Sequence, residues 1–479
     1  MHNYRIDALS KEEVHKIDLA TMEVLEKTGI IVENDKVLDL LEQNGAKINK
    51  QEKRVRIPEK VLKDGLKKVP SSFVVYSRKG EEVTIGGDQT VISSGAGASW
   101  ILDIDTGEPR PATKKDSGHY AKVTDAMENF SLCMSPIIQD VTPSLVDVHS
   151  AQAMISNTTK TPWVCPGDGM QARYIIEMGA VLAGGMEEFR KKPIILGLAS
   201  PNSPLRLASH DLDVALEFAG NKLPITLINC PNSGAAAPVS IAGTLVVTLA
   251  ECLAFALVAQ LINPGNAIAV GPAPTIMDMK TAIAAFGAPE CGLVNAGTAQ
   301  MLRYYNVPSF GCITSSESIL IDAQTGYEIA WTTQLSMMAG VNIVVGIGLI
   351  NACAGCSLEK LIIDDEVIGG IKRILKGIEV TDETLAVDVI DAVGPGGHYL
   401  AQKHSREHLR NEHWFPKISN RLGLQEWKKE KLDLWQVARR EAKKIVESAN
   451  PEPLDKDMED EIAAIVERAE KEATSMQSG

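Results

Sequence analysis

Several polar side chains in this 479-residue chain stand just after short apolar runs, where a fold can gather them. They are Ser93 and Ser94, Asp140, Asp168, Asn202, Asn229 with Asn232, the run Ser315-Ser316-Glu317, and Asn351. Asp, Asn and Ser are also the preferred N-caps of helices. Asp168, three residues before Gln171, is read as such a cap; Asn229 and Asn232, before a long Gly/Ala/Pro loop, are read as site residues. Glycines 95 and 97 in Ser94-Gly-Ala-Gly-Ala let backbone approach a flat or bulky group, and an ordinary tight turn would use them equally well. Trp100 and Trp163 stand beside two of these loops, and Tyr399 follows His398. Aromatic faces attract a methylated cation where water is excluded. Tyr327 and Trp331, four apart on a helical pattern, are expected to form a packing stripe.

Metal and nucleotide chemistry find less support. Cys353-Ala-Gly-Cys356 and His404-Ser-Arg-Glu-His408 have ligand-like spacing, but a zinc site needs them to meet, or Cys165, Cys230 and Cys312 to converge. No H-E-x-x-H, no G-x-x-x-x-G-K and no G-x-G-x-x-G after a strand occurs. No metal is expected in this chain.

The elements that must position these residues follow a rhythm. Eight apolar runs recur at 90–94, 130–136, 162–166, 193–199, 224–230, 267–272, 308–314 and 342–349. Helical patterns follow each, at 114–128, 146–157, 171–183, 209–219, 239–262, 277–305, 323–339 and 358–375. Eight strand-then-helix units predict an α/β fold, a closed (β/α)8 TIM barrel, with its chemistry at the carboxyl ends of the strands. The barrel takes residues 89–376. Residues 1–88 are expected to form a helical cap with a small hairpin around Arg78-Lys-Gly-Glu, and 377–479 a helical extension. In the cap, helices are predicted at 10–28, 36–44 and 58–69. In the extension they are predicted at 403–412, 424–448 and 455–475.

A net charge of −14 gives no electrostatic case for nucleic acid. No run reaches about 18 uninterrupted apolar residues, and the longest candidate, 241–262, is interrupted by Glu251 and Gln260, so no membrane span is expected. The amino-terminal stretch MHNYRIDALSKEE lacks the layout of a signal peptide. Eight scattered cysteines do not form a disulfide framework. Together these place the chain in the cytoplasm as an expectation.

Several segments resemble the trimethylamine methyltransferase superfamily. They are Ser94-Gly-Ala-Gly-Ala through Asp105-Thr-Gly-Glu-Pro-Arg110-Pro-Ala-Thr113, Phe286-Gly-Ala-Pro-Glu290, Asp322-Ala-Gln-Thr-Gly-Tyr-Glu328 and Leu361-Ile-Ile-Asp-Asp-Glu366, followed by Gly394-Pro-Gly-Gly-His398-Tyr-Leu, Lys403-His-Ser-Arg-Glu-His408 and Trp414-Phe-Pro. The likeness spans roughly residues 10–421. It implies a corrinoid-dependent methyltransferase that passes a methyl group from an amine to the cobalt of a separate cognate corrinoid (cobalamin) protein. The founding branch carries pyrrolysine. This chain has ordinary residues throughout and resembles the members that demethylate quaternary amines such as glycine betaine, proline betaine or carnitine. A quaternary nitrogen leaves as a neutral tertiary amine, so a Co(I) nucleophile can take its methyl directly, and the protein's part is positioning and exclusion of water.

On that resemblance the ammonium is expected near Trp163, with polar oxygens from Asn229, Asn351 or Glu317. The substrate carboxylate is expected on His398 and Arg206, with Tyr399 alongside. Glu317 and His398 are the catalytic candidates, and the corrinoid is expected over Gly95, Gly97, Ser315 and Ser316. A homo-oligomer is expected from the helical extensions and the resemblance. Two other readings stay open: a zinc-dependent thiol or alcohol:corrinoid methyltransferase using the strand-end cysteines, and a non-catalytic module that binds betaine or the corrinoid protein. A lyase or aldolase barrel lacks a Schiff-base lysine at the strand ends.

Overall fold

All eight apolar runs form strands of one parallel sheet. The computed structural model describes residues 4–201 and 203–478, without the side chains of Cys312, Ile313 and residues 476–478. Asn202 and the Cys312 thiol, both singled out in the sequence, lie outside the described residues. The strands are β1 (Val91–Ser94), β2 (Leu132–Cys133), β3 (Thr161–Val164), β4 (Leu196–Ala199), β5 (Ile225–Asn229), β6 (Ile268–Pro272), β7 (Phe310–Ile313) and β8 (Ile343–Ile347). Their order is β6-β5-β4-β3-β2-β1-β8-β7. A parallel bridge between Val270 and Ser309 brings β6 against β7, leaving a nearly closed (β/α)8 barrel. The backbones are close enough at that seam that a Cβ on Gly271 would meet the Phe310 carbonyl oxygen at 1.5 Å, which accounts for the glycine.

The barrel helices are α1 (Lys114–Ala126), α2 (Val146–Asn157), α3 (Gly169–Ala183), α4 (Ser209–Gly220), α5 (Ile241–Ile262), α6 (Pro289–Tyr304), α7 (Ala323–Ala339) and α8 (Leu358–Lys376). Their starts are written in the chain. Asp168 accepts the Gln171 N–H, Ser357 the Lys360 N–H, and Asp322 those of Gln324 and Thr325. Thr113 and Asp116 form a reciprocal capping box.

The predicted helix 277–305 needs correction. Thr275–Asp278 and Ile283–Ala285 instead form an antiparallel hairpin, and α6 begins only at Pro289. Asp278 turns back on the Lys280 N–H and Ala282 is left-handed (φ 56°), so a helix cannot pass through. Likewise the predicted helix 424–448 breaks at left-handed Lys431 (φ 55°), and Asp433 and Gln436 cap a fresh start at Leu434.

The amino-terminal hairpin, Ser72–Tyr76 with Glu82–Gly86, closes one end of the barrel. Tyr76 N–H donates to Pro193 O and Arg78 N–H to Thr159 O, both just before strands begin. Phe73, Val75 and Ile85 share a core with Leu132, Trp163, Leu196, Ala269, Phe310 and Ile343. The strand-start end of the barrel is therefore plugged, and the carboxyl end opens.

Helix α5 is apolar all round and lies between the barrel and the amino-terminal helices. Among the described residues it alone is long and apolar enough to cross a membrane, and its apolar window is 78% buried in the fold. After α8, residues 378–412 make a protruding lobe whose helices Asp382–Leu385, Val387–Val393 and Lys403–Glu412 bury no residue. Both ends of the lobe are tied to the end of α8: Arg373 donates to Gly377 O and Glu412 O, and Lys376 to Asn411 O.

Candidate active site

The open end of the barrel leads into a cavity of about 520 Å³ lined by residues of five strands (β3, β4, β5, β7 and β8) and by loops at their carboxyl ends. Its walls are aromatic where they meet the barrel core. Trp163, at the end of β3, is 1% exposed, and its ring meets Phe310 edge to face with centroids 5.1 Å apart. Trp163 is locked there, because Nε1–H donates to Thr226 Oγ1 (2.9 Å) and that hydroxyl donates to Gly197 O (2.8 Å). Phe286 completes the wall from the loop before α6.

One carboxylate, Asp147 in the first turn of α2, lines the same cavity. Its Oδ2 accepts the Gly167 N–H (3.0 Å). Burial, with the Asp168 charge nearby, pushes this carboxyl up to about 6. The thiols of Cys165, Cys230 and Cys353 also face the cavity, and burial pushes those of Cys165 and Cys353 up, so they stay protonated at neutral pH. Asp211 stands behind Cys165 and Cys230; burial raises its carboxyl, and its Oδ2 lies 3.3 Å from His210 Nε2. Among the described residues no group of three His, Cys, Asp or Glu side chains could hold a metal ion. His404 and His408 do stack, centroids 4.2 Å apart, but on the remote lobe, where both face Glu383.

The structure separates the residues expected to act together. Trp163 and Gly97 line the cavity. Gly95 is held by packing, since a Cβ there would meet Leu349 at 2.4 Å. Ser315 and Ser316 are buried beneath the mouth: Ser315 Oγ accepts the Cys353 N–H and Ser316 Oγ donates to Glu328. Glu317 takes the N–H groups of Phe286 (2.6 Å) and Gly287 (3.0 Å), so it positions the loop that carries Phe286; burial raises its carboxyl. Asn351, left-handed at φ 48°, shapes the turn leading to Cys353 and does not line the cavity.

Four expected site residues lie elsewhere. Asn229 turns outward, donating to Glu251 Oε2 (2.7 Å) and Thr248 O in a fully buried pair behind the wall, because a carboxylate buried on α5 needs a donor. Arg206 pairs with Glu33, next to where Arg206–Leu207 runs parallel to the amino-terminal strand Ile30–Val32. His398 and Tyr399 are exposed on the protruding lobe, anchored at the barrel end opposite the mouth. Tyr327 and Trp331, expected as core packing, do pair their rings (4.7 Å) but stand exposed instead of in the core, with Trp331 Nε1–H donating to Gly287 O.

The sequence reading missed Asp147, Phe286 and Phe310 as cavity residues. Asp147 carries a weak signal, since an acid in a first helical turn is ordinary. Phe286 and Phe310 sat in a recognised motif and a recognised strand, and only the pleat decides which face they take.

The chain is similar to known proteins along almost its whole length. The family model for trimethylamine methyltransferase (MTTB) matches residues 2–474. Trimethylamine methyltransferase MttB of Desulfitobacterium hafniense (strain DSM 10664 / DCB-2) is 33% identical over 476 residues, covering 98% of this chain and 96% of the relative. A glycine betaine methyltransferase of Desulfitobacterium hafniense (strain Y51) is 32% identical over 472 residues, covering 98% of each. The crystal structure of the Methanosarcina barkeri monomethylamine methyltransferase (MtmB) superposes with a TM-score of 0.51 over 93% of this chain and 96% of that one. At 14% identity this likeness speaks to the fold. A barrel with its cavity at the carboxyl end, and kinship at this level over the full length, make the chain a methyltransferase of the trimethylamine methyltransferase family.

Proposed function

We propose that this chain transfers a methyl group from a quaternary ammonium compound to the reduced corrinoid of a separate protein. The observation that carries the reading is the cavity itself, whose described lining holds three aromatic rings and one carboxylate. Aromatic faces and a single negative charge suit a methylated cation.

A reduced corrinoid supplies the nucleophile, whose electron pair bonds the methyl carbon as the C–N pair returns to nitrogen. The leaving group is a neutral tertiary amine, so no side chain has to give or take a proton. Trp163 and Phe310 hold the ammonium head at a fixed depth, because hydrogen bonds and edge-to-face packing leave them one arrangement. Phe286, kept in place by Glu317, covers the side. Asp147 balances the positive charge. That charge fades as the methyl leaves, so Asp147 contributes to substrate binding more than to the rate of transfer.

The rim is suited to a large flat acceptor. Gly97 (φ 94°) is bare, and a Cβ there would project into open space. Ile137, Ile319 and Leu320 are exposed on loops around the mouth, Leu320 at 67%. Such an apolar rim matches a docking partner that carries the corrinoid.

The test mixes purified protein with a reduced corrinoid and, separately, choline, tetramethylammonium, glycine betaine, proline betaine, carnitine and trimethylamine, and follows corrinoid methylation by absorbance. Turnover with a quaternary amine is expected. Silence with every compound, in protein carrying stoichiometric zinc, would overturn this reading in favour of a thiol or alcohol substrate.

A further inference from the structure

The cavity holds a counter-charge for a cation and none for an anion. Among its described lining residues Asp147 is the one carboxylate, and no Lys, Arg or His is present. Asp147 Oδ2 is engaged by the Gly167 N–H, whereas Oδ1 makes no hydrogen bond within the described protein. Behind the same wall Asp211 accepts the Ser200 N–H on one oxygen, and its other oxygen, Oδ2, lies 3.3 Å from His210 Nε2. Charged groups on the neighbouring elements include Asp168, which caps α3, and His210, whose ring is half exposed; Lys114 on α1 is turned to His149 and Gln152 of α2. The two side chains that could have met a substrate carboxylate are committed or remote: Arg206 pairs with Glu33, and His398 is exposed on the lobe.

We propose that Asp147 makes this cavity select a quaternary ammonium monocation without a carboxylate, of the choline or tetramethylammonium type, over a zwitterionic betaine. This inference rests on the quaternary-amine reading above. A betaine carries its carboxylate within a few ångströms of the ammonium. Seating the ammonium on the aromatic wall would bring that carboxylate toward Asp147 in a partly desolvated space, where like charges repel.

The test measures dissociation constants for choline, tetramethylammonium and glycine betaine by calorimetry at pH 7.5, with wild type, Asp147→Asn and Asp147→Ala, each checked by thermal melt. Wild type is expected to bind choline about tenfold or more tighter than glycine betaine. Asp147→Asn keeps an acceptor for Gly167 N–H; it is expected to lose about tenfold for choline while leaving glycine betaine unchanged or tighter. Glycine betaine binding tighter than choline, with Asp147→Asn indifferent, would overturn the selectivity and leave the quaternary-amine reading standing. Absence of binding by all three compounds would remove the quaternary-amine reading and this inference together.

Discussion

Cation binding in this cavity is expected to have a pH profile set chiefly by Asp147, the carboxylate that lines it, with Asp211 behind the wall, also raised by burial, as a second titrating group. Asp147 is held at about 6 by burial and by Asp168, and a cation gains from its ionised form alone. The apparent dissociation constant then scales as one plus the ratio of protonated to ionised carboxyl. That factor is about 11 at pH 5, 2 at pH 6 and close to 1 above pH 7, a loss of about 1.4 kcal/mol between pH 7 and pH 5. Binding must also release about 0.9 proton at pH 5 and about 0.5 at pH 6. Calorimetry with tetramethylammonium, which does not titrate, in two buffers of different ionisation enthalpy reads both quantities. Asp147→Asn should remove most of the slope and most of the proton release. The thiols around Asp147 stay neutral across this range, so they add no slope. An unchanged slope in Asp147→Asn, or a flat profile in wild type, would refute the assignment. The same shift has a stability side. A carboxyl raised from 3.8 toward 6 on folding disfavours the folded state, not at all below pH 3.8 and fully above about pH 6. The ceiling is about 3 kcal/mol. The unliganded Asp147→Asn variant should therefore melt higher than wild type at pH 8, with the gap narrowing toward pH 5, even though it binds cations worse.

Other perturbations bear on the frame around the site. Lys360 and Asp364 are a fully buried ion pair on α8, and Asp364 also takes the Gly348 N–H. Lys360→Met should cost about 3–5 kcal/mol by leaving that carboxylate unpaired, and adding Asp364→Leu should recover much of it in urea unfolding. Gly271→Ala drives a methyl group into the Phe310 carbonyl at the barrel seam and should give insoluble protein or a large loss of Tm; a Tm equal to wild type would mean the seam is looser than described. Glu317→Ala releases the Phe286 loop and should raise KM about tenfold, about 1.4 kcal/mol, with kcat changed less. Leu320→Glu places a charge on the apolar rim and should slow transfer to a corrinoid protein while sparing transfer to free corrinoid; equal effects on both would argue against docking at that loop.

The barrel was legible because each unit repeats the same local code: an apolar strand, a polar turn, a capped helix. It failed at 277–285, where Met, Ile and Ala carry no helical period of their own and the deciding features were an Asp turn and a left-handed Ala282. The site was less legible, for a physical reason visible in the motifs. Many of their charged residues are staples between distant segments. Arg110 clasps Asp103 and Asp116, which holds the first loop against α1. Of the three acids in Leu361-Ile-Ile-Asp-Asp-Glu366, Asp364 meets Lys360, Asp365 meets Asn129, and Glu366 gathers the N–H groups of Lys417, Ile418 and Ser419. Glu328 in Asp322-Ala-Gln-Thr-Gly-Tyr-Glu holds Ser316 and the Glu317 N–H. Asp365 and Glu366 answer donors that only the tertiary fold brings near, which sequence order does not reveal, whereas Asp364 meets Lys360 one helical turn away.

Cavity chemistry, by contrast, rests on residues that no spacing rule marks: Asp147 in an ordinary first turn, Phe310 inside a strand, Phe286 beside a motif glycine. A cation site needs few hydrogen-bond donors, because the ligand presents only methyl groups. Its walls are accordingly rings that sequence alone would assign to the core, and its single charge resembles a helix-terminal acid. What separates Asp147 from Asp168, twenty-one residues later, is environment: Asp168 is committed to capping the Gln171 N–H, whereas Asp147 keeps one oxygen available to a cavity whose described lining holds no positive side chain. A carboxylate kept costly in the empty fold and relieved only by a bound cation is how a site holds binding energy in reserve for its ligand, and in this chain that reserve is measurable as the gap in Tm between wild type and Asp147→Asn at pH 8.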